Sequence, residues 1–103
     1  MATAEYVRAL GDRARKRHYH ATRGRKVIAF MVQLEVEFRG TWVPVVRDDM
    51  AHGKPHVDVY ETPRQKSKQF LDMDPGEVMT LADEDIKENW EWYRDEFLRR
   101  NER

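Results

Sequence analysis

The sequence predicts a small α+β domain: an antiparallel meander of three to four strands, with a short N-terminal helix and a long C-terminal helix packed on the sheet. Three observations predict it. Apolar residues alternate without a miss at Ile28, Phe30, Val32, Leu34, Val36 and Phe38, the period of a strand. Turn residues at Arg39-Gly40 and around Gly53 divide the chain that follows into further strand-length runs. Val78, Ala82, Ile86, Trp90, Tyr93 and Phe97 form an apolar stripe at spacings of four, four, four, three and four, the period of a helix.

Taken in order, Thr3 to about His18 reads as a helix, with Tyr6, Val7, Leu10 and Ala14 at helical spacing and Thr3 as the N-cap. Gly11 weakens its middle, and a basic arm continues to Lys26. Lys26 to Phe38 is the clearest strand. Val27, Ala29 and Met31 on its second face require cover near its start, which the N-terminal helix is expected to supply. Trp42 to Asp49 is the next strand, irregular or with a free side at Pro44. A turn over Ala51 to Lys54 leads to a strand from Pro55 to Glu61, and Lys66 to Met73 adds a short fourth. Asp74-Pro75-Gly76-Glu77 starts a helix, with an N-cap acid, proline at the first helical position and an acid in the first turn. The domain 1–103 thus divides into a basic N-terminal helix and arm (1–26), an antiparallel sheet (27–73) and an acidic C-terminal helix (74–101).

Composition bounds the function. With 103 residues there is room for one domain, and 37% charged against 40% hydrophobic predicts an economical core under a heavily charged surface. The absence of cysteine excludes disulfides and thiolate metal sites. No apolar run approaches the roughly 20 residues of a membrane span, and the N-terminus does not read as a signal peptide, so a cytoplasmic protein without membrane contact is expected. Nothing resembles a phosphate loop, a nucleophile elbow or a dinucleotide fingerprint, and no cofactor is expected. The net charge of zero hides a polarity: Met1 to Lys26 carries eight Lys/Arg against two Asp/Glu, and Asp72 to Arg103 carries five against eleven. These ends should attract each other, within one chain or as a homodimer.

The densest chemistry lies between Trp42 and Glu61, where Arg47, Asp48, Asp49, His52, His56 and Asp58 crowd about one turn. His52 and His56 have the spacing of a helical metal pair, but Gly53 and Pro55 exclude that helix, and no metal is expected. If Met50 pairs with Pro55, then Asp49 faces His56, Arg47 faces Asp58 and Val45 faces Tyr60, all on one sheet face. A slip of one residue would bring Val57 and Val59 to that face instead. The turn favours the first register, since it puts Gly53 where a positive φ is required and Pro55 at a strand start. That face would then pass from apolar Val43 and Val45 to polar Arg47 and Asp49.

In that register the candidate catalytic residues are His52, His56, Arg47, Asp49 and Asp58. One imidazole could take a 2′-hydroxyl proton and the other protonate the leaving oxygen. Arg47 would stabilise the phosphorane, and Asp49 or Asp58 would orient a ring: a metal-independent ribonuclease centre. The plainer alternative is a charged turn with one cross-strand ion pair.

The stretch V-V-R-D-D-M-A-H-G-K-P-H-V-D, with E-N-W-E-W-Y far downstream, is similar to a group of short uncharacterised prokaryotic proteins that look distantly like the TumE-type toxins of toxin–antitoxin pairs. The resemblance spans roughly Ile28 to Phe97. That pattern has an aromatic between Arg47 and Asp49 where this chain has Asp48, so no stacking role is carried to that position. The resemblance implies RNA-directed toxin activity and an antitoxin-like protein partner, and it assigns no catalytic residue.

Two further features remain. Arg15, Lys16, Arg17, Tyr19, Arg23 and Arg25 interleave charge with an aromatic as an RNA-binding segment does; the alternative is a solvated helix end that meets the acidic helix. Trp90 and Trp92 are two apart on a helix and cannot both enter one core, so one is a candidate partner contact. The functional alternative to an RNA-directed enzyme is therefore a non-catalytic interaction or dimerisation module.

Overall fold

The computed structural model describes residues 1–51 and 53–102. Among these the chain forms six strands and one helix: β1 Ala2–Gly11, β2 Ala14–Arg23, β3 Lys26–Phe38, β4 Thr41–Ala51, β5 Lys54–Thr62, β6 Gln65–Phe70 and α1 Pro75–Asn101. The strands pair in chain order, every neighbour antiparallel, so each connection is a hairpin and the α+β class holds.

The N-terminal half corrects the expectation. The residues read as a helix and arm are the β1–β2 hairpin, and the sheet has six strands where three or four were expected. Ala14, Lys16, His18 and His20 alternate toward α1 while Arg15, Arg17 and Tyr19 alternate away from it, a period of two concealed by charge on both faces. Lys16 and His18 are tolerated on the inner face because Asp83 of α1 meets them, at 3.0 Å from Lys16 Nζ and 3.1 Å from His18 Nδ1. At the β1–β2 turn Arg13 takes a positive φ of 58°. Backbone and side chain hold it there, since its carbonyl accepts from Glu37 N at 3.0 Å and its guanidinium donates to the Glu37 carbonyl at 2.8 and 3.0 Å.

The helix forms as expected. Asp74 caps it by accepting from Glu77 N at 3.2 Å, and Pro75 opens the first turn. Val78, Ala82, Ile86 and Phe97 are buried against Phe30, Val32, Leu34, Val36 and Phe38, with Trp90 and Tyr93 half-buried beside them. The basic and acidic ends of the chain meet within the molecule, through Lys16–Asp83 and Arg13–Glu102. Among the described residues no helix is long and apolar enough to cross a membrane.

Two bulges change which side chains reach the core. In β3, Ala29 pairs with Ala21 but Val27 with Thr22, so Val27 is half-buried near Gly76 of α1 and Ile28, expected inside, is exposed. In β4, Leu34 pairs with Val46 but Glu35 with Pro44, leaving Val45 as the extra residue; it and Val46 both enter the core. Val43, Val45, Val57 and Val59 therefore share the helix side, and the expected apolar-to-polar gradient on the Arg47 face is replaced by Trp42 and Pro44.

Candidate functional site

The face of the sheet turned away from α1 carries two rows that cross all six strands. One runs Val7, Arg17, Gln33, Arg47, Asp58, Lys68 and the next Glu5, Tyr19, Met31, Asp49, His56, Phe70. Each row is fixed by the ladder registers, so side chains distant in sequence stand side by side. Arg47 lies opposite Asp58 and Asp49 opposite His56, with Met50 paired to Pro55 and Gly53 at φ 77°. This is the expected register. Val45 does not join the face, because of the bulge.

The polar groups form two clusters. At the β4–β6 end, His56 Nδ1 is 3.2 Å from Asp58 Oδ1, and Lys66 Nζ donates to Asp58 Oδ2 at 3.0 Å. His56 and Asp58 are only 3% and 2% exposed, and the exposed Phe70 ring meets the imidazole edge-on at a centroid distance of 5.6 Å. The Asp58 contact favours the tautomer with the proton on Nδ1, which leaves Nε2 the basic nitrogen. Arg47 bonds to Asp49 along its own strand, with Nε 2.9 Å from Oδ2, and does not bond to Asp58 across the hairpin. The carboxylate that orients His56 is thus Asp58, not Asp49. Its hydrogen bond to Lys66 raises the lysine pKa.

In the second cluster, Glu35 accepts from Arg15 Nε at 2.6 Å, Arg17 Nε at 2.9 Å and Gln33 Nε2 at 2.7 Å. Burial alone would raise the Glu35 pKa, but the hydrogen bonds from Arg17, Arg15 and Gln33 outweigh it and hold the carboxyl below its ordinary value. Two guanidiniums share this one carboxylate, so positive charge is left over locally. Gln33 Oε1 is buried and finds no donor among the described residues. Aromatic surface borders both clusters: Trp42 lies under the Arg15 guanidinium at 4.2 Å and Tyr60 under Lys66 at 5.5 Å.

The structure brings together four of the five candidate catalytic residues, Arg47, Asp49, His56 and Asp58; His52 lies outside the described residues. It divides the candidate RNA-binding set. Arg15, Arg17 and Tyr19 stand on the helix-free face, Lys16 turns inward to Asp83, and Arg23, at the end of β2, and Arg25, in the β2–β3 turn, are both exposed beside Gly24. Among the described residues no three histidine or carboxylate side chains converge in a way that could hold a metal ion. Sequence reasoning missed Glu35, Gln33, Lys66, Lys68 and Phe70. Glu35 and Gln33 are the polar residues of an alternating strand, and an edge strand placed after β5 brings Lys66, Lys68 and Phe70 opposite Tyr60, Asp58 and His56.

Compared with known proteins, the chain matches over residues 1–103 the family model described as Domain of unknown function (DUF7718), and it belongs to that family. No curated protein and no solved structure matches it.

Proposed function

We propose that this family member is an RNA-directed, toxin-like protein that works through the helix-free face of its sheet and cleaves phosphodiester bonds there without a metal. The observation that carries the reading is the His56–Asp58–Lys66 cluster standing beside Arg47 on a face that also presents arginines and aromatic rings. An open antiparallel sheet with such side chains suits single-stranded RNA, whose bases stack on rings while guanidiniums meet phosphate. In the cleaving step His56 Nε2 takes the proton of the 2′-hydroxyl, and the O2′–P bond forms as the P–O5′ bond breaks. Asp58 stabilises the resulting imidazolium through Nδ1–H, and Arg47 neutralises the phosphorane. His52 is the residue that the sequence offers to protonate O5′. Because His56 is buried beside Phe70, a ring at the end of edge strand β6, substrate entry requires that ring to swing aside.

The test is cleavage of a single-stranded RNA oligonucleotide, with growth arrest on expression as the cellular readout. Parent chain should cleave; His56→Ala and Arg47→Ala should lose cleavage by at least about a hundredfold while keeping their circular dichroism. Equal cleavage by His56→Ala, or none by the parent chain, removes the reading.

A second reading, an interaction module held by an antitoxin-like or identical partner, is supported by Leu81 and Trp92. Both are exposed, and eleven residues on a helix return to within about 20° of the same direction. Light scattering of the parent chain and Trp92→Ala at low and high salt separates the two, since assembly without RNA cleavage would favour the module.

A further inference from the structure

Behind the sheet, between β4, β5 and α1, lies a cleft of about 170 Å³ that the RNA-directed face does not use. Its walls are apolar, with Val46 and Val57 from the sheet, Val78 and Ala82 from the helix and Leu71 from the segment between, and its rim carries the exposed Leu81 and Met73. Three polar groups enter it: Asp48, Asp85 and the Tyr93 hydroxyl. Asp85 is satisfied, since it accepts from Tyr93 Oη at 2.6 Å and Asn89 Nδ2 at 2.8 Å. Asp48 is not. It is 6% exposed, its carboxylate lines the cleft, and no hydrogen bond to it is made among the described residues.

A carboxylate held without a cation in an apolar cleft is costly. Here a second carboxylate lines the same space, and no lysine, arginine or histidine does. We infer that this cleft is a binding site for a small organic ammonium ion, with Asp48 as counter-ion, Asp85 and the Tyr93 oxygen completing the polar end and the valine walls holding a short hydrocarbon stem. The size fits. A dry cavity of about 150 Å³ accepts benzene, and n-butylammonium is smaller than benzene in heavy atoms.

The surroundings of Asp48, on its own side of the sheet and through it, all favour its neutral form when nothing is bound. Burial is the main cause, followed by Asp85 of α1, Asp58 of β5 and Asp83 of α1, and together they push its pKa up to about 7. Tyr93 is itself pushed upward by burial and by Asp85 and stays neutral. His18 stands on the far side of Val32 in the same row, and it and Lys16 are already engaged by Asp83. An incoming ammonium ion therefore meets a carboxyl that ionises near neutrality and supplies the charge that it lacks.

The experiment titrates n-butylammonium into the whole protein and follows the methyl resonances of Val57, Val78 and Leu81, with n-butanol as the neutral match. With the carboxyl ionised in about a tenth of molecules at pH 6 and nine-tenths at pH 8, affinity for the ammonium should rise about tenfold across that range. The alcohol should bind weakly and independently of pH. Asp48→Asn should abolish ammonium binding with the methyl spectrum otherwise retained. Leu81→Trp, at the exposed rim, should block entry without touching Asp48. Nα-Acetyl-lysine methylamide, tested in parallel, separates a lysyl side chain of a partner from a free amine. It should bind as well as n-butylammonium in the first case and far more weakly in the second. Absence of ammonium binding, equal binding of the alcohol, a pH-independent affinity, or full binding by Asp48→Asn would each overturn the assignment.

Discussion

Replacing Asp48 by asparagine should stabilise the protein, and by an amount that depends on pH in a definite direction. The carboxyl rises from an ordinary 3.8 to about 7 in the folded chain. Between those values the unfolded state has released the proton and the folded state has kept it, so folded stability falls as pH rises. At about 1.4 kcal/mol per pH unit, the penalty is complete above pH 7 at about 4 kcal/mol. At pH 5 it is only about 1.5 kcal/mol on the same footing. Asparagine does not titrate, and whatever constant cost its amide carries is the same at both pH values. The gain of Asp48→Asn over the parent should thus be about 3 kcal/mol larger at pH 8 than at pH 5.

Urea unfolding followed by tryptophan fluorescence measures this directly, because Trp90 is half-buried against the sheet. With a slope near 1.5 kcal/mol per M, the difference between the two chains should change by about 2 M in midpoint. Groups that do not interact with Asp48 are common to both chains and cancel in the comparison. A gap that stays the same at pH 5 and pH 8 would refute the reasoning. It would mean that the Asp48 carboxylate is already paired or solvated when folded, and the argument for a cationic ligand would lose its premise.

Other substitutions test separate parts of the structure. A Cβ at Gly11 would overlap the ring of Trp90, so Gly11→Ala should cost about 1–3 kcal/mol, read as a lowered urea midpoint, whereas an unchanged midpoint would show that the ring does not pack there. Asp74→Ala removes the cap of α1 and should cost about 1 kcal/mol in the same assay. Glu35 has its folded pKa held below the ordinary 4.5, so it lends stability above that value and loses it as pH falls through the folded one. Glu35→Gln should therefore flatten the acid limb of the stability profile, and at pH 7 it should destabilise by about 2 kcal/mol as Arg15 and Arg17 lose their carboxylate.

The parts legible in the sequence are those whose pattern is set by the hydrophobic core. Phe30, Val32, Leu34, Val36 and Phe38 alternate because one face of β3 is covered, and the Val78 to Phe97 stripe recurs because one side of α1 does the covering. The hairpin register was favoured by the sequence without being decided by it: Gly53 and Pro55 suit the observed turn, but only the ladder itself excludes a slip of one residue. The β1–β2 hairpin was illegible, because its signal is tertiary. β1 is an edge strand exposed over nearly all its length, and the inward positions of β2 hold Lys16 and His18, which count as inward only once Asp83 is overhead. Tyr6, Val7, Leu10 and Ala14 match a helical spacing by accident of an edge strand with little to bury. The bulges at Ile28 and Val45 were illegible too, since an extra residue in a ladder leaves no mark in a run of valines.

Asp48 and Asp49 show what the sheet does with adjacent identical residues. The pleat sends Asp49 to the open face, where Arg47 and the Met50 amide satisfy it, and sends Asp48 behind the sheet, where it stands with Asp85 in an apolar cleft. The first arrangement is ordinary for a surface carboxylate. The second sacrifices stability at neutral pH at a position where valine or isoleucine would suit the neighbouring Val46 and Val57. A stability loss of that kind, confined to one side chain that lines a cleft, is what a binding residue costs before its ligand arrives. It also separates the two sides of the sheet in function: Asp48→Asn should leave RNA cleavage intact, and His56→Ala should leave ammonium binding intact. If either substitution abolished both activities, the two faces would have to be coupled through the β4–β5 hairpin, where Asp48 and Asp49 pair with Val57 and His56.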